Sequence, residues 1–220
     1  MKIVVLAGGL SPERNVSLSS GSKVCQALRD RGHQVALVDL FFGLEDWSGS
    51  EEELYSAPIP EKFKRVARQA PDLNQVRASR KDQGPSAIGR GVLELCAHAD
   101  VVYLALHGTC GEDGRIQAAL DLLGVPYTGS GCLGSAIAMD KDLTKRLVAD
   151  RVTTPSWRTV TVTKENIGAL VEETCLPVVV KPIASGSSIG VYIAHDREEL
   201  EKALYDSLKL GGRTVLEQYI

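Results

Sequence analysis

The chain has 220 residues, 44% of them hydrophobic and 24% charged, which fits a globular protein and disfavours disorder, collagen and a coiled-coil rod. A formal net charge of -3 leaves no basic footprint for phosphate-backbone binding, so nucleic acid is not expected as a partner. This length suits one large domain or two modest ones, each able to bury a core without disulfides or metals. Cys25, Cys96, Cys110, Cys132 and Cys175 form an odd set with no CxxC pair, so packing is their default role and a reducing cytoplasm the expected location. Ile3 to Ala7 is too short for a signal peptide or a membrane span, and no other stretch is apolar enough, so no membrane partner is expected.

Ile3 to Ala7 is a continuous aliphatic run ending at Gly8-Gly9, the pattern of a strand buried on both faces. Ser17, Ser19 and Ser20 offer N-caps for a helix with Val24, Ala27 and Leu28 on one face and Gly32 as its stop. With a strand over Val35 to Leu40, these elements make a βαβ unit whose ligands gather at the carboxyl ends of the strands. From Gly43 to Ser86, Pro58, Pro60, Pro71 and Pro85 break every periodicity, so a surface excursion is expected, with one helix near Lys62 to Gln69. A helix around Ala87 to Ala97 and a buried strand Val101 to Leu106 lead to His107-Gly108 and a second glycine loop through Gly114. The next helix carries Ile116, Ala119, Leu120 and Leu123 on one face and stops at Gly124. A short strand at Val125 to Tyr127 follows, and Gly129-Ser130-Gly131 marks a domain boundary.

Beyond it the pattern is that of a small α+β sheet: a helix through Lys145 and Leu147, a strand near Trp157 to Val162, a helix Lys164 to Glu173, and the strand Val178 to Pro182. Gly186 to Gly190 forms a hairpin tip before Val191 to Ile193. Asp196 and Glu199 read as a capping box for a helix to about Lys209, and Thr214 to Ile220 as a last strand.

Three groups carry candidate chemistry. Glu13, in the loop at the ligand-binding edge, could pair with a substrate ammonium or be a solvated loop carboxylate. His107 ends a second strand at the same edge, with Gly111-Glu112-Asp113-Gly114 behind it, although a lone histidine by itself is more often structural. Lys181 closes Val178-Val179-Val180 before the glycine and serine tip, where freed backbone N–H groups and a fixed lysine can hold phosphate oxygens in a geometry unlike a P-loop. Lys141 and Glu217 look ordinary by themselves.

Taken together, Gly8-Gly9-Leu10-Ser11-Pro12-Glu13, Leu106-His107-Gly108 with Gly111 to Gly114, Tyr127 to Gly131, Met139-Asp140-Lys141, and Val180-Lys181-Pro182 with Gly186 to Gly190 resemble the D-alanine–D-alanine ligases of the ATP-grasp superfamily. The match is collinear over nearly the whole chain except 43–86. The resemblance implies an α/β chain: a doubly wound parallel-sheet, Rossmann-like domain over residues 1–131 that binds substrate, then a small α+β ATP-grasp lobe over 132–220. It implies ATP-dependent joining of two D-alanines through an acyl phosphate, for peptidoglycan synthesis. Glu13 would bind the first substrate's ammonium with help from Ser187, and His107 would lie beside its carboxylate. Lys141, Lys181 and Ser188 would contact ATP phosphates, and Glu217, Gln218 and Ile220 would line the adenine pocket. Ser185 and Gln218 depart from the family, which usually has an acidic residue and a lysine there.

Family members continue into a further segment with the Mg2+ ligands, so this sequence is expected to be inactive alone, with D-alanine and ATP as ligands and a homodimer as the commonest family assembly. The alternatives are a non-catalytic remnant or pseudoenzyme that binds nucleotide or amino acid, and another ATP-grasp carboxylate-amine ligase.

Overall fold

The computed structural model describes residues 1–66, 69–184, 186 and 190–220, and forms two compact units, Met1–Ala136 and Ile137–Ile220. The first contains, in order, β1 (Lys2–Ala7), α1 (Arg14–Asp30), β2 (Gln34–Asp39), α2 (Glu51–Leu54), α3 (Leu73–Ser79), α4 (Val92–Ala97), β3 (Val101–Leu104) and α5 (Arg115–Leu123). β1 lies between β2 and β3 and runs parallel to both, with Val5 opposite Leu37 and Tyr103.

Alternate residues of β1 enter different cores. Val4 and Leu6 join Ala36, Val38 and Val102 against α4 and α5. Ile3, Val5 and Ala7 join Val35 against Leu18 and Cys25 of α1. Burial on both faces explains why the strand is apolar without a break. α1 approaches the sheet closely because Gly21 has no side chain: a Cβ there would lie 2.7 Å from the Ala7 Cβ.

Several local expectations shift. α1 begins at Arg14, ahead of the serines, and its inward face is Ser17, Leu18, Gly21, Ser22 and Cys25, while Ala27 is exposed. Ser17 does not cap, because its hydroxyl is spent between strands. The excursion is not purely surface: Leu54 and Tyr55 are buried in the β1 core, and burial pushes the Tyr55 phenol up to about 12. Of the helix expected over Lys62 to Gln69, the described part is a 3-10 turn at Glu61–Lys64; residues 67 and 68 lie outside the described residues. α4 starts at Val92 rather than Ala87. Val125 to Tyr127 makes a single bridge to Val102 instead of a strand, as suits a segment whose Pro126 has no N–H.

α6 (Cys132–Met139) leads into the second unit, which holds α7 (Lys141–Val148), β4 (Trp157–Thr161), α8 (Ile167–Glu173), β5 (Val178–Pro182), β6 (Tyr192–Ala194), α9 (Arg197–Lys209) and β7 (Arg213–Gln218). The strands form an antiparallel sheet in the order β4-β7-β5-β6. Val178, Val180, Ala194 and Leu216 face Ile167 and Leu170 of α8 and Leu200 and Leu204 of α9. The register then sets Val179, Lys181, Val215 and Glu217 on the opposite face. α8 starts at Ile167, later than Lys164. The α9 cap is offset: Asp196 accepts from Glu199 N at 2.8 Å, but the Glu199 carboxylate accepts from His195 N at 2.8 Å rather than from Asp196.

Candidate functional site

Because β1 and β3 are parallel, the loops after them emerge at one edge of the sheet. Ser17 joins them: its Oγ accepts from Gly8 N at 2.8 Å and donates to Ala105 O at 2.6 Å. Glu13 stands at the N-cap of α1, and His107-Gly108 turns beside it. Gly108 stands at φ 70°, in the left-handed region that favours glycine, and a Cβ there would sit 3.3 Å from Ser11 Cβ, with Glu13 Oε2 3.5 Å away. Glu112, not singled out by the sequence analysis, holds the turn through Gly108 N at 2.7 Å, with its other oxygen 3.9 Å from His107 Nδ1. Asp113 Oδ2 accepts from Cys110 N at 3.0 Å. The Ser11 hydroxyl is buried there with no hydrogen-bond partner among the described residues.

Behind the corner lies a buried ion pair. Arg14 binds both oxygens of Asp39, at the end of β2, and donates to Gly9 O at 2.8 Å. Asp39 also accepts from Gly9 N at 3.3 Å and Phe41 N at 2.9 Å. A carboxylate at the end of β2 holds ribose in dinucleotide-binding folds; here it is spent on the protein. Gly8, at φ 72°, would place a Cβ 2.7 Å from that carboxylate, which is why the first loop needs glycine. A cleft of about 670 Å³ borders this pair, lined by Arg14 and Asp39 themselves with Phe42, Trp47 and Phe63, and neither Glu13 nor His107 is in its lining. Its charges are largely spent, Arg14 on Asp39 and Lys81 on Asp46.

In the second unit the sheet face opposite α8 and α9 gathers charge. Glu217 is buried, with Oε1 2.6 Å from Lys181 Nζ and Oε2 3.1 Å from Lys145 Nζ. Burial alone would push the Glu217 carboxyl up, but the bonds from Lys181 and Lys145 outweigh it and hold it below the usual range. Lys141 is tied to the segment after β5 by Lys141 N to Ile183 O at 3.0 Å. Burial first, and the Lys181 charge second, hold its ammonium below the usual range. Asp142 accepts from Arg146 Nε and from Trp157 Nε1, both at 2.9 Å, which brings its carboxyl down to about 2.

Within the first unit, then, Glu13 and the His107-Gly108 turn are brought together. Within the second, Lys141, Lys181 and Glu217 are. Strand alternation turns Gln218 to the other face, where its Oε1 accepts from Ser156 Oγ at 3.2 Å, and Ile220 is 84% exposed past the end of β7. Ser187 and Ser188, with Ser185, lie outside the described residues. Lys145 was missed although it stands four residues after Lys141, one helical turn on the same face.

The family model described as the D-ala D-ala ligase N-terminus matches residues 2–130, and that of the D-ala D-ala ligase C-terminus matches 149–220. The chain belongs to the D-alanine–D-alanine ligase family. A D-alanine–D-alanine ligase of Pediococcus pentosaceus is 40% identical over 221 residues, covering 100% of this chain and 63% of that protein. One of Lacticaseibacillus casei is 38% identical, covering 100% and 61%. The solved D-alanine–D-alanine ligase of Bacillus anthracis complexed with ATP superposes with a TM-score of 0.66 at 26% identity, covering 100% of this chain and 59% of that one. The D-alanyl-alanine synthetase A of Vibrio cholerae, at 21% identity and a TM-score of 0.69, shares the fold. The chain spans about three fifths of the length of these relatives. The α/β fold read from the sequence, a doubly wound parallel-sheet unit followed by an α+β ATP-grasp lobe, is the fold of this family.

Proposed function

We propose that the chain serves ATP-dependent ligation of two D-alanines. A D-alanine carboxylate oxygen attacks the γ-phosphorus of ATP and ADP leaves; the amine of a second D-alanine then attacks the acyl carbon and phosphate leaves. Phosphorylation turns a poor electrophile into a good one, and fixed cations offset the charge on the transferring group. The observation that carries the reading is the pairing of Lys145 and Lys181 with one buried carboxylate, Glu217, with Lys141 close enough to Lys181 for the two charges to repel, in a chain of this family.

In this reading residues 1–131 bind amino acid and 132–220 bind nucleotide. Glu13 takes the substrate ammonium and His107, held by the Glu112 turn, its carboxylate. Lys141 and Lys181 take phosphate oxygens, an anion that would also relieve the repulsion between them. Glu217 contributes to the adenine pocket together with the strand end at Gln218 and Ile220, and Ser187 and Ser188 complete the substrate and phosphate contacts. Among the described residues no group of three or more His, Cys, Asp or Glu side chains is placed to hold a metal ion, and no step is routed through Mg2+. No helix among the described residues is long and apolar enough to cross a membrane, and a cytoplasmic homodimer without nucleic-acid partners completes the proposal.

Titration calorimetry tests it. ATP should bind the 220-residue chain, and Lys181→Met should weaken that binding about tenfold or more, since charged hydrogen bonds contribute about 1.5–3 kcal/mol. A chain that binds neither ATP nor D-alanine refutes the reading. ADP release with D-alanine measures whether the chain turns over.

A further inference from the structure

Lys145 has a place in this site that neither motif nor resemblance assigns. A lysine ammonium has three N–H donors. Three oxygens take them: Glu217 Oε2 at 3.1 Å, Pro155 O at 3.0 Å, and Thr154 Oγ1. The Trp157 ring closes the remaining side, 4.8 Å from Nζ. The Lys145 side chain is 12% exposed and has no donor left for a ligand. Lys181 differs. Its side chain is 26% exposed, and among the described residues it spends one donor, on Glu217 Oε1 at 2.6 Å. Among the described residues, Glu217 therefore sits between one cation fixed by the protein and one with donors to spare.

We propose that Lys145 is a positioning residue for nucleotide binding: it anchors Glu217 through Oε2, so that Lys181 can pass from Oε1 to phosphate oxygens without leaving a buried carboxylate unpaired. The proposal rests on the ATP reading above. A buried carboxylate stripped of every counter-ion is strongly unfavourable, so a phosphate that drew Lys181 away from a Glu217 with no other cation would work against that penalty. With Lys145 in place Glu217 keeps a charged partner throughout. With a neutral side chain at 145, Glu217 depends on Lys181 and holds it back. The effect falls on the phosphate-dependent part of affinity, because Lys145 itself has nothing to offer the ligand.

Calorimetry of the 220-residue chain with ATP, and separately with adenosine, tests this. Lys145→Met should weaken ATP about tenfold while adenosine changes less than about twofold, and Lys145→Arg, which can still pair with Oε2, should stay within about threefold of the parent for ATP. In a Glu217→Gln background Lys145→Met should change ATP affinity less than about twofold, since no carboxylate then competes for Lys181. Glu217→Gln alone should raise the ratio of ATP to adenosine affinity, a readout that stands even where Lys145→Met unfolds. An unchanged ATP affinity in Lys145→Met, an equal loss in the Glu217→Gln background, or a lowered ratio in Glu217→Gln overturns the proposal and leaves the ATP site standing. A parent chain that binds no ATP overturns both.

Discussion

Arg14→Met probes whether the buried ion pair holds the Glu13 loop. The Arg14 and Asp39 side chains are only 8% and 5% exposed, so removing the guanidinium strands a carboxylate that water cannot reach. Breaking such a pair costs about 3–5 kcal/mol. Backbone N–H groups of Gly9, Phe41 and Phe42 still donate to Asp39 and offset part of the loss, which points to the low end, about 3 kcal/mol. In an Asp39→Asn background Arg14 is itself the charge without a counter-ion, so Arg14→Met relieves that cost. That relief offsets the loss of the bond to Gly9 O and of the packing over Phe42, 4.8 Å from its centroid, and the variant should be unchanged or stabilised there. Urea unfolding should be followed through Trp47 in a Trp157→Phe chain, so that the signal comes from the first unit alone. With a slope of about 1–3 kcal/mol/M, the midpoint should fall by about 1–3 M. A loss below about 1 kcal/mol, or one of equal size in the Asp39→Asn background, would refute the assignment of an uncompensated charge.

Gly8→Ala should cost about 1–3 kcal/mol in the same assay, because φ is 72° and the new Cβ would lie 2.7 Å from the Asp39 carboxylate; a neutral change would show that the loop can re-form elsewhere. Gly21→Leu should cost about 1–3 kcal/mol or more, since α1 must lift off Ala7, and a stabilised variant would contradict the close helix–sheet approach. Asp142 gives a pH prediction. Its unfolded value is 3.8 and its folded value about 2, so its contribution to stability is full above 3.8 and is lost as pH falls from there towards about 2. Glu217, held below 4.5, adds to the same acid loss. Acid unfolding read by Trp157 fluorescence should therefore have a shallower slope in Asp142→Asn, and identical slopes would remove Asp142 from the account.

Strand and helix identities were legible where burial is decided locally. The unbroken Ile3 to Ala7 run announces a strand buried on two faces, and Ile116, Ala119 and Leu120 announce the inward side of α5, which ends at Gly124 in the left-handed region. Ser17 misled, because a serine near a helix start looks like a cap, whereas this hydroxyl bridges two strand ends, Gly8 and Ala105, brought together only by parallel pairing. The 43–86 excursion misled for the opposite reason. Its prolines speak for loop, yet Leu54 and Tyr55 are drawn into the core by the face of the sheet that they cover.

The sequence by itself determined the βαβ opening, the two glycine loops and the ordered motifs that mark the ligase family, because turns, caps and apolar period are properties of neighbouring residues. Tertiary structure alone decided which charges meet. Arg14 and Asp39 are 25 positions apart and Lys181 and Glu217 are 36 apart, and nothing local in either segment names the other. Glu217 and Gln218 are adjacent in sequence, yet strand alternation gives them opposite faces, and the packing of α8 and α9 against one face leaves the other to Glu217 and the lysines. That choice makes Glu217 the centre of a lysine cluster and turns Lys145 from an ordinary helical lysine into its anchor.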